Sequence, residues 1–143
     1  MLKNTEQKLK KLFNEQRFAV IATQEKNEPY TNLVSFITEK DLKKIYFPTS
    51  KNSRKFKNLS RNSKISILID NRKNNPKDVK NAMAVTAVGI TKENNSLKIL
   101  RQFLKKHPYL KKFVNSSNNI IIEIIVEKYI IVDNFQNVEI VNF

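Results

Sequence analysis

Residues 47–59 read FPTSKNSRKFKNL. The second half has the pattern of a short helix, with Ser53 in the N-cap position and Phe56 and Leu59 three apart on one face. Lys51, Arg54, Lys55 and Lys57 crowd the beginning of that helix. Cations are unfavourable there, because a helix N-terminus already carries roughly half a positive charge and several backbone N–H groups without acceptors. A phosphate dianion reverses the sign. The orphan N–H groups and the dipole attract it, and Arg54 and Lys55 can add charge-assisted hydrogen bonds. The chemistry these residues could do is anion binding, phosphate above all. A lysine-rich chain also places cations together without any ligand, so the charge pattern alone leaves both readings open.

Other chemistries are narrowed by what the chain lacks. Gly89 is the only glycine. The glycine-rich loops that bring backbone amides against nucleotide phosphates therefore cannot form, and a phosphate must be held by side chains and an ordinary helix start. There is no cysteine, which removes disulfides, thiolate metal sites and cysteine nucleophiles. His107 is the only histidine, so one chain cannot build a multi-histidine metal centre, and a surface position at a helix end is its plain reading. No serine sits in a nucleophile elbow, and no pair of carboxylates is spaced for hydrolysis.

The net charge is +14, from 27 Lys and Arg against 13 Asp and Glu. Such a balance suits nucleic acid or an anionic membrane, but lysine and asparagine run evenly along the whole chain, which reads as composition. The N-terminus MLKNTEQKLKKLF lacks the apolar core and cleavage site of a signal peptide. The most apolar run, Ile120–Val126, is too short to span a bilayer and contains Glu123. A cytoplasmic protein is the expectation.

These side chains need a frame. Residues 5–15 predict a helix capped by Thr5, with Leu9, Leu12 and Phe13 buried. Runs rich in β-branched and aromatic residues then predict strands at Arg17–Gln24, Pro29–Thr38 and Lys43–Phe47. The phosphate-type helix, Arg54–Ser60, follows, and then a strand at Lys64–Asp70. Asn71–Asn81 reads as a mobile polar loop. Ala82–Thr91 is a fifth strand, in which Gly89 marks a bulge or a close backbone approach. Residues 96–105 are helical with Leu97, Leu100 and Leu104 in line, and Tyr109–Val114 adds a turn. Strands at Ile120–Val126, Tyr129–Val132 and Val138–Val141 close the chain. Seven or eight strands in consecutive hairpins, with three or four short helices, argue for a mainly β, antiparallel barrel with flanking helices, built as one domain over residues 1–143.

This order of segments resembles the pyridoxamine-phosphate-oxidase-like split barrels, a Greek-key-like family that binds flavin mononucleotide (FMN). The likeness is densest at FAVIAT (18–23), PYTNLVSF (29–36), FPTSKNSRKFKNLSRNSKISILID (47–70), VTAVG (85–89) and KKHPYLKKF (105–113). The resemblance implies that Arg54 and Lys55 hold the flavin phosphate and that Thr49 and Ser50 lie against the flavin. It also implies contacts to the ring and phosphate arm from the middle of the second strand: Asn32, Val34 and Ser35. Vitamin B6 oxidases usually carry arginine two residues after the second-strand Pro–Tyr, and further arginines near the C-terminus. Here Asn32 stands at the first place, and no arginine follows Arg101.

The resemblance thus implies an FMN-dependent oxidoreductase of unknown small-molecule substrate that is not an efficient pyridoxamine-phosphate oxidase. Lys51 is a candidate to stabilise a reduced flavin. The alternatives are a non-catalytic flavin, deazaflavin or haem binding protein, with His107 as an axial ligand in the haem case. More remote is a basic nucleic-acid-binding barrel, which would need exposed aromatics, whereas Phe18, Phe36, Tyr46 and Phe47 sit in apolar strands and are expected to be buried. A homodimer with the flavin touching both chains is also implied, with Phe135 and Tyr129 either stacking on the flavin there or packing in the core. Ala82–Val88 and Ile120–Val126, apolar on both faces, offer the surface for a partner.

Overall fold

The computed structural model covers residues 1–143. Period-two burial sets the strands: β1 (Phe18–Glu25) buries Ala19, Ile21 and Thr23 and turns the intervening residues outward. Lys26 and Asn27, both at positive φ (47° and 66°), make the two-residue turn that a right-twisted hairpin requires. β2 (Glu28–Ser35) then returns along β1. The run expected to continue unbroken to Thr38 breaks at Phe36, whose ring is fully buried. Beyond it, β3 (Ile37–Thr38) pairs instead with β4 (Lys44–Ser50).

The remaining elements are α1 (Lys3–Glu15), α2 (Arg54–Arg61), β5 (Lys64–Asp70), α3 (Asp78–Asn81), β6 (Met83–Glu93) and α4 (Leu97–Lys106). After these come a 3-10 turn (Pro108–Leu110), α5 (Lys111–Val114), β7 (Asn119–Asp133) and β8 (Asn137–Asn142). All strand pairs are antiparallel, in the order β2-β1-β5-β6-β7-β4-β3, with β8 also on β7. The break at Phe36 puts two consecutive strands on opposite edges of one sheet, so the sheet must curl, and β2 comes round beside β4. The result is the half-barrel with flanking helices of a split barrel. No helix is long and apolar enough to cross a membrane.

The main core fills the curl and takes Leu9, Leu12 and Phe13 from α1, which lies over it. A smaller cluster lies on the other face of the sheet, where Ile37, Tyr46 and Ile121 pack against Ile99 and Phe103 of α4 and Val114 of α5.

Several sequence expectations are corrected. The first helix starts at Lys3, so Thr5 lies inside it, and its hydroxyl donates to Glu139 Oε1 at 2.8 Å. The fully buried positions of α4 are Ile99 and Phe103; Leu100 and Leu104 are partly buried against the same cluster, and of the three leucines only Leu97 is mostly exposed. The loop at 71–81 contains the turn α3 and is tied down by Asp78, whose carboxylate accepts from the N–H groups of Lys73 and Asn75. The two strands expected at 120–126 and 129–132 are one, β7. Its register against β6 slips where Val88 faces Lys128 and Gly89 faces Val126, leaving Glu127 as an extra residue. A bulge absorbs what reads as a turn. The second apolar face of Ile120–Val126 is covered by the chain's own α4 and α5, so it is not a surplus surface. Phe18 is half exposed, at the rim of the sheet.

Candidate site at the head of helix α2

β4 runs from the interior to Ser50, and a tight knot of hydroxyls turns the chain into α2. Ser53 is the N-cap: its Oγ accepts the N–H of Phe56 at 3.2 Å. The same hydroxyl donates to the Ser50 carbonyl at 2.7 Å and lies 2.9 Å from Thr49 Oγ1. Thr49 is fully buried. Its hydroxyl contact with Ser53 helps to fix the cap that aims the helix. Ser50 Oγ accepts from the Asn52 N–H, and the N–H of Lys51 is held by the Asn118 carbonyl. Underneath, Phe56 and Leu59 pack on the main core, and buried Asn58 donates to Thr23 Oγ1 at 3.0 Å.

This anchoring leaves the first turn of α2 facing outward, with no acidic residue in it. The N–H groups of Arg54 and Lys55 stand in the first two helical positions, where no intrahelical acceptor exists. Arg54 is exposed. Its guanidinium sits 4.7 Å from the centre of the Tyr30 ring, and Glu28 Oε2 is 3.9 Å away. Lys55 is half-buried, forms no ion pair, and burial lowers its pKa. An ammonium group held partly out of water beside bare N–H groups is stabilised by an anion and by little else.

Tyr30, Asn32 and Val34 alternate onto the inner side of β2, next to this helix start. Asn32 Oδ1 is buried without a hydrogen-bond donor, so the side chain has an acceptor to offer. Val34 packs in the main core and Ser35 is buried; their backbone, on a strand at the sheet's edge, is what they can present to a ligand. Ser50, Arg54 and Lys55 thus stand together at the head of α2, and Asn32 lies two residues along β2 from Tyr30, which Arg54 contacts, while Thr49 and Val34 are buried. A phosphate fits this set through the cations and free N–H groups, and a group with an N–H fits Asn32. Sequence reasoning missed Glu28 and Tyr30, which the curl of the sheet brings from β2 to Arg54, and Asn58, which ties α2 to Thr23 of β1.

His107 departs from its surface reading. It is fully buried at the end of α4, with Nε2 2.8 Å from the Phe36 carbonyl and Nδ1 3.0 Å from the Tyr109 hydroxyl. Both ring nitrogens are engaged, so it has no lone pair to give an iron. Tyr129 is likewise interior, its hydroxyl donating to the Leu42 carbonyl at 2.6 Å, which settles it as a core residue. Phe135 is exposed near the tip of the β7–β8 hairpin.

The family model described as pyridoxamine 5'-phosphate oxidase matches residues 5–133. No curated protein matches the chain. Among solved structures, the chain is similar to General Stress Protein 26 from Bacillus anthracis, with a TM-score of 0.80 and 17% identity over 98% of this chain and 99% of that one. It is also similar to a haem-binding protein from Mycobacterium smegmatis (TM-score 0.84, 13% identity, 99% of this chain), of which it spans 59%. A third is an FAD-binding protein from Mesorhizobium loti (TM-score 0.63, 16% identity, 86% of this chain and 90% of that one). At these identities the likeness is one of fold.

Proposed function

The chain belongs to the pyridoxamine 5'-phosphate oxidase family, and on that premise we propose that it binds FMN at the head of α2 and serves as an FMN-dependent oxidoreductase acting on a small molecule. The observation that carries this reading is Lys55, a half-buried cation without a counter-anion, beside Arg54 on a helix start with no acidic residue. Arg54 and Lys55 hold the phosphate, Ser50 lines the approach, and the Asn32 carbonyl accepts a hydrogen bond from the ligand. The flavin, when bound, supplies hydride transfer, and the chain supplies position and electrostatics. Pyridoxamine phosphate is not the efficient substrate, because Asn32 replaces a cationic grip and the chain beyond Arg101 has no arginine.

A flavin or deazaflavin binder without turnover is the second reading, and steady-state reduction of the bound cofactor by candidate donors separates the two. Haem is weaker for this chain, because His107 has no free nitrogen. The proposal includes a second copy of the chain on the outer face of the sheet, beside β2. The direct test is FMN titration. Replacing Arg54 and Lys55 together by Ala weakens binding by several kcal/mol, from about 1.5–3 kcal/mol per charged hydrogen bond. Unchanged affinity in that variant would remove the phosphate site from α2.

A further inference from the structure

A second concavity, separate from the head of α2, lies between α4, the end of α1 and the turn joining β3 to β4. It is a groove of about 600 Å³, within the size range of small-molecule sites. Four of its nine lining residues are Lys40, Lys98, Lys105 and Lys106, and its one carboxylate is Glu39. Glu39 is already engaged, accepting the Tyr46 hydroxyl at 2.8 Å. None of the four lysines forms an ion pair.

Lys106 is the most constrained of them. Its ammonium donates to the Phe13 carbonyl at 2.7 Å and lies 4.3 Å from the centre of the Phe36 ring. Burial, with the nearby charge of Arg17, brings its pKa down to about 8. Lys98 and Lys105 stand two helical turns apart on one face of α4, about 10 Å along the axis, with Gln102 between them.

We infer that this groove binds a small, non-aromatic polyphosphate. Four mutually repelling ammonium groups in a concave site, with one carboxylate and no ion pair among them, are relieved by a ligand carrying several negative charges close together. Lysine presents compact point charges that can follow a flexible chain of phosphates, in contrast to the planar fork of arginine. The groove offers no face on which a base could stack. Ile37 is its only apolar residue, and the nearby Phe36 ring is covered by Lys106. Nucleotides and single-stranded nucleic acid, which gain much of their affinity by stacking, are poorly served.

The test is calorimetric titration of the full chain with sodium tripolyphosphate, orthophosphate and a short thymidine oligonucleotide, at low and at high salt. Tripolyphosphate binds saturably and weakens as salt rises. The variant K98Q/K105Q, altered only at exposed positions of α4, loses about tenfold or more in affinity. R54A/K55A keeps it, which separates this groove from the proposed FMN site. The inference is overturned if tripolyphosphate gives no saturable binding, if K98Q/K105Q binds as well as the parent, or if affinity is lost in R54A/K55A instead. Tighter binding of the oligonucleotide than of tripolyphosphate would also overturn it, in favour of a nucleic-acid surface.

Discussion

At His107 the imidazole is wholly buried yet hydrogen-bonded at both nitrogens. The arrangement suits the neutral ring, with Nε2–H donating to the Phe36 carbonyl and Nδ1 accepting from Tyr109. Burial, together with the charges of Lys106 and Arg17, lowers its pKa in the folded state. The unfolded chain takes the proton at about pH 6.5, and the folded chain resists it. Stability is therefore complete above about 6.5 and falls as the pH drops below it, by at most about 1.4 kcal/mol per pH unit. The carboxylates of Asp78 and Glu123 have lowered values too, and their contributions disappear only in more acid solution, so the interval from about 6.5 to 5 reports on the single histidine. Urea midpoints should fall across that interval in the parent. His107→Gln should be less stable at pH 7.5 but flat across the interval; a parallel fall in both proteins would rule out His107 as the cause. Tyr129→Phe is a second residue-level test. It removes the donor to the buried Leu42, which sits at φ 64°, and should cost about 1–3 kcal/mol in urea unfolding.

The bulge between β6 and β7 depends on Gly89, for steric reasons and not for its φ, which is negative. A Cβ there would lie 2.1 Å from the Ile125 carbonyl oxygen. The obstacle is backbone in the middle of the sheet and cannot swing away. Gly89→Ala should lose about 3 kcal/mol in chemical denaturation, and a loss under 1 kcal/mol would mean that the strands separate easily. That feature was legible in the sequence, as were the cap and buried face of α2, because a lone glycine in a strand and a serine three residues before an apolar residue are local signals. What was not legible came from distance. Asn58 meets Thr23 across 35 residues, and Glu28 and Tyr30 reach Arg54 only because the sheet curls. In α4, Leu97, Leu100 and Leu104 satisfy a helical period as well as Ile99 and Phe103 do. Which stripe is buried more deeply is decided by the sheet that the helix packs on.

The curl also leaves one face of the whole molecule without a cover. Leu33, Val20, Leu68, Thr86, Ile130 and Ile140 are successive register partners across β2, β1, β5, β6, β7 and β8, so they form a row straight across the outer face of the sheet. Its ends are the most open, with Leu33 64% and Ile140 56% exposed. No helix of this chain packs there, in contrast to the β3–β4 side under α4 and α5. A stripe apolar on five of its six strands is the kind of surface that a partner covers, and a two-fold contact with a second copy is the commonest way to cover it. The stripe ends on β2, one residue from Asn32 and on the strand that Arg54 meets through Tyr30. A second copy would therefore stand beside the proposed flavin. The charge of +14 per chain opposes association, but salt screens it beyond about 8 Å, and burial of a standard-size interface outweighs what remains. Sedimentation at micromolar concentration in physiological salt should show a dimer. Leu33→Lys with Ile140→Lys, both at exposed ends of the row, should yield a monomer with its thermal midpoint retained and its FMN affinity reduced. A parent chain that sediments as a monomer while binding FMN tightly would show that one chain completes the site, and the row of apolar residues would then need a different occupant.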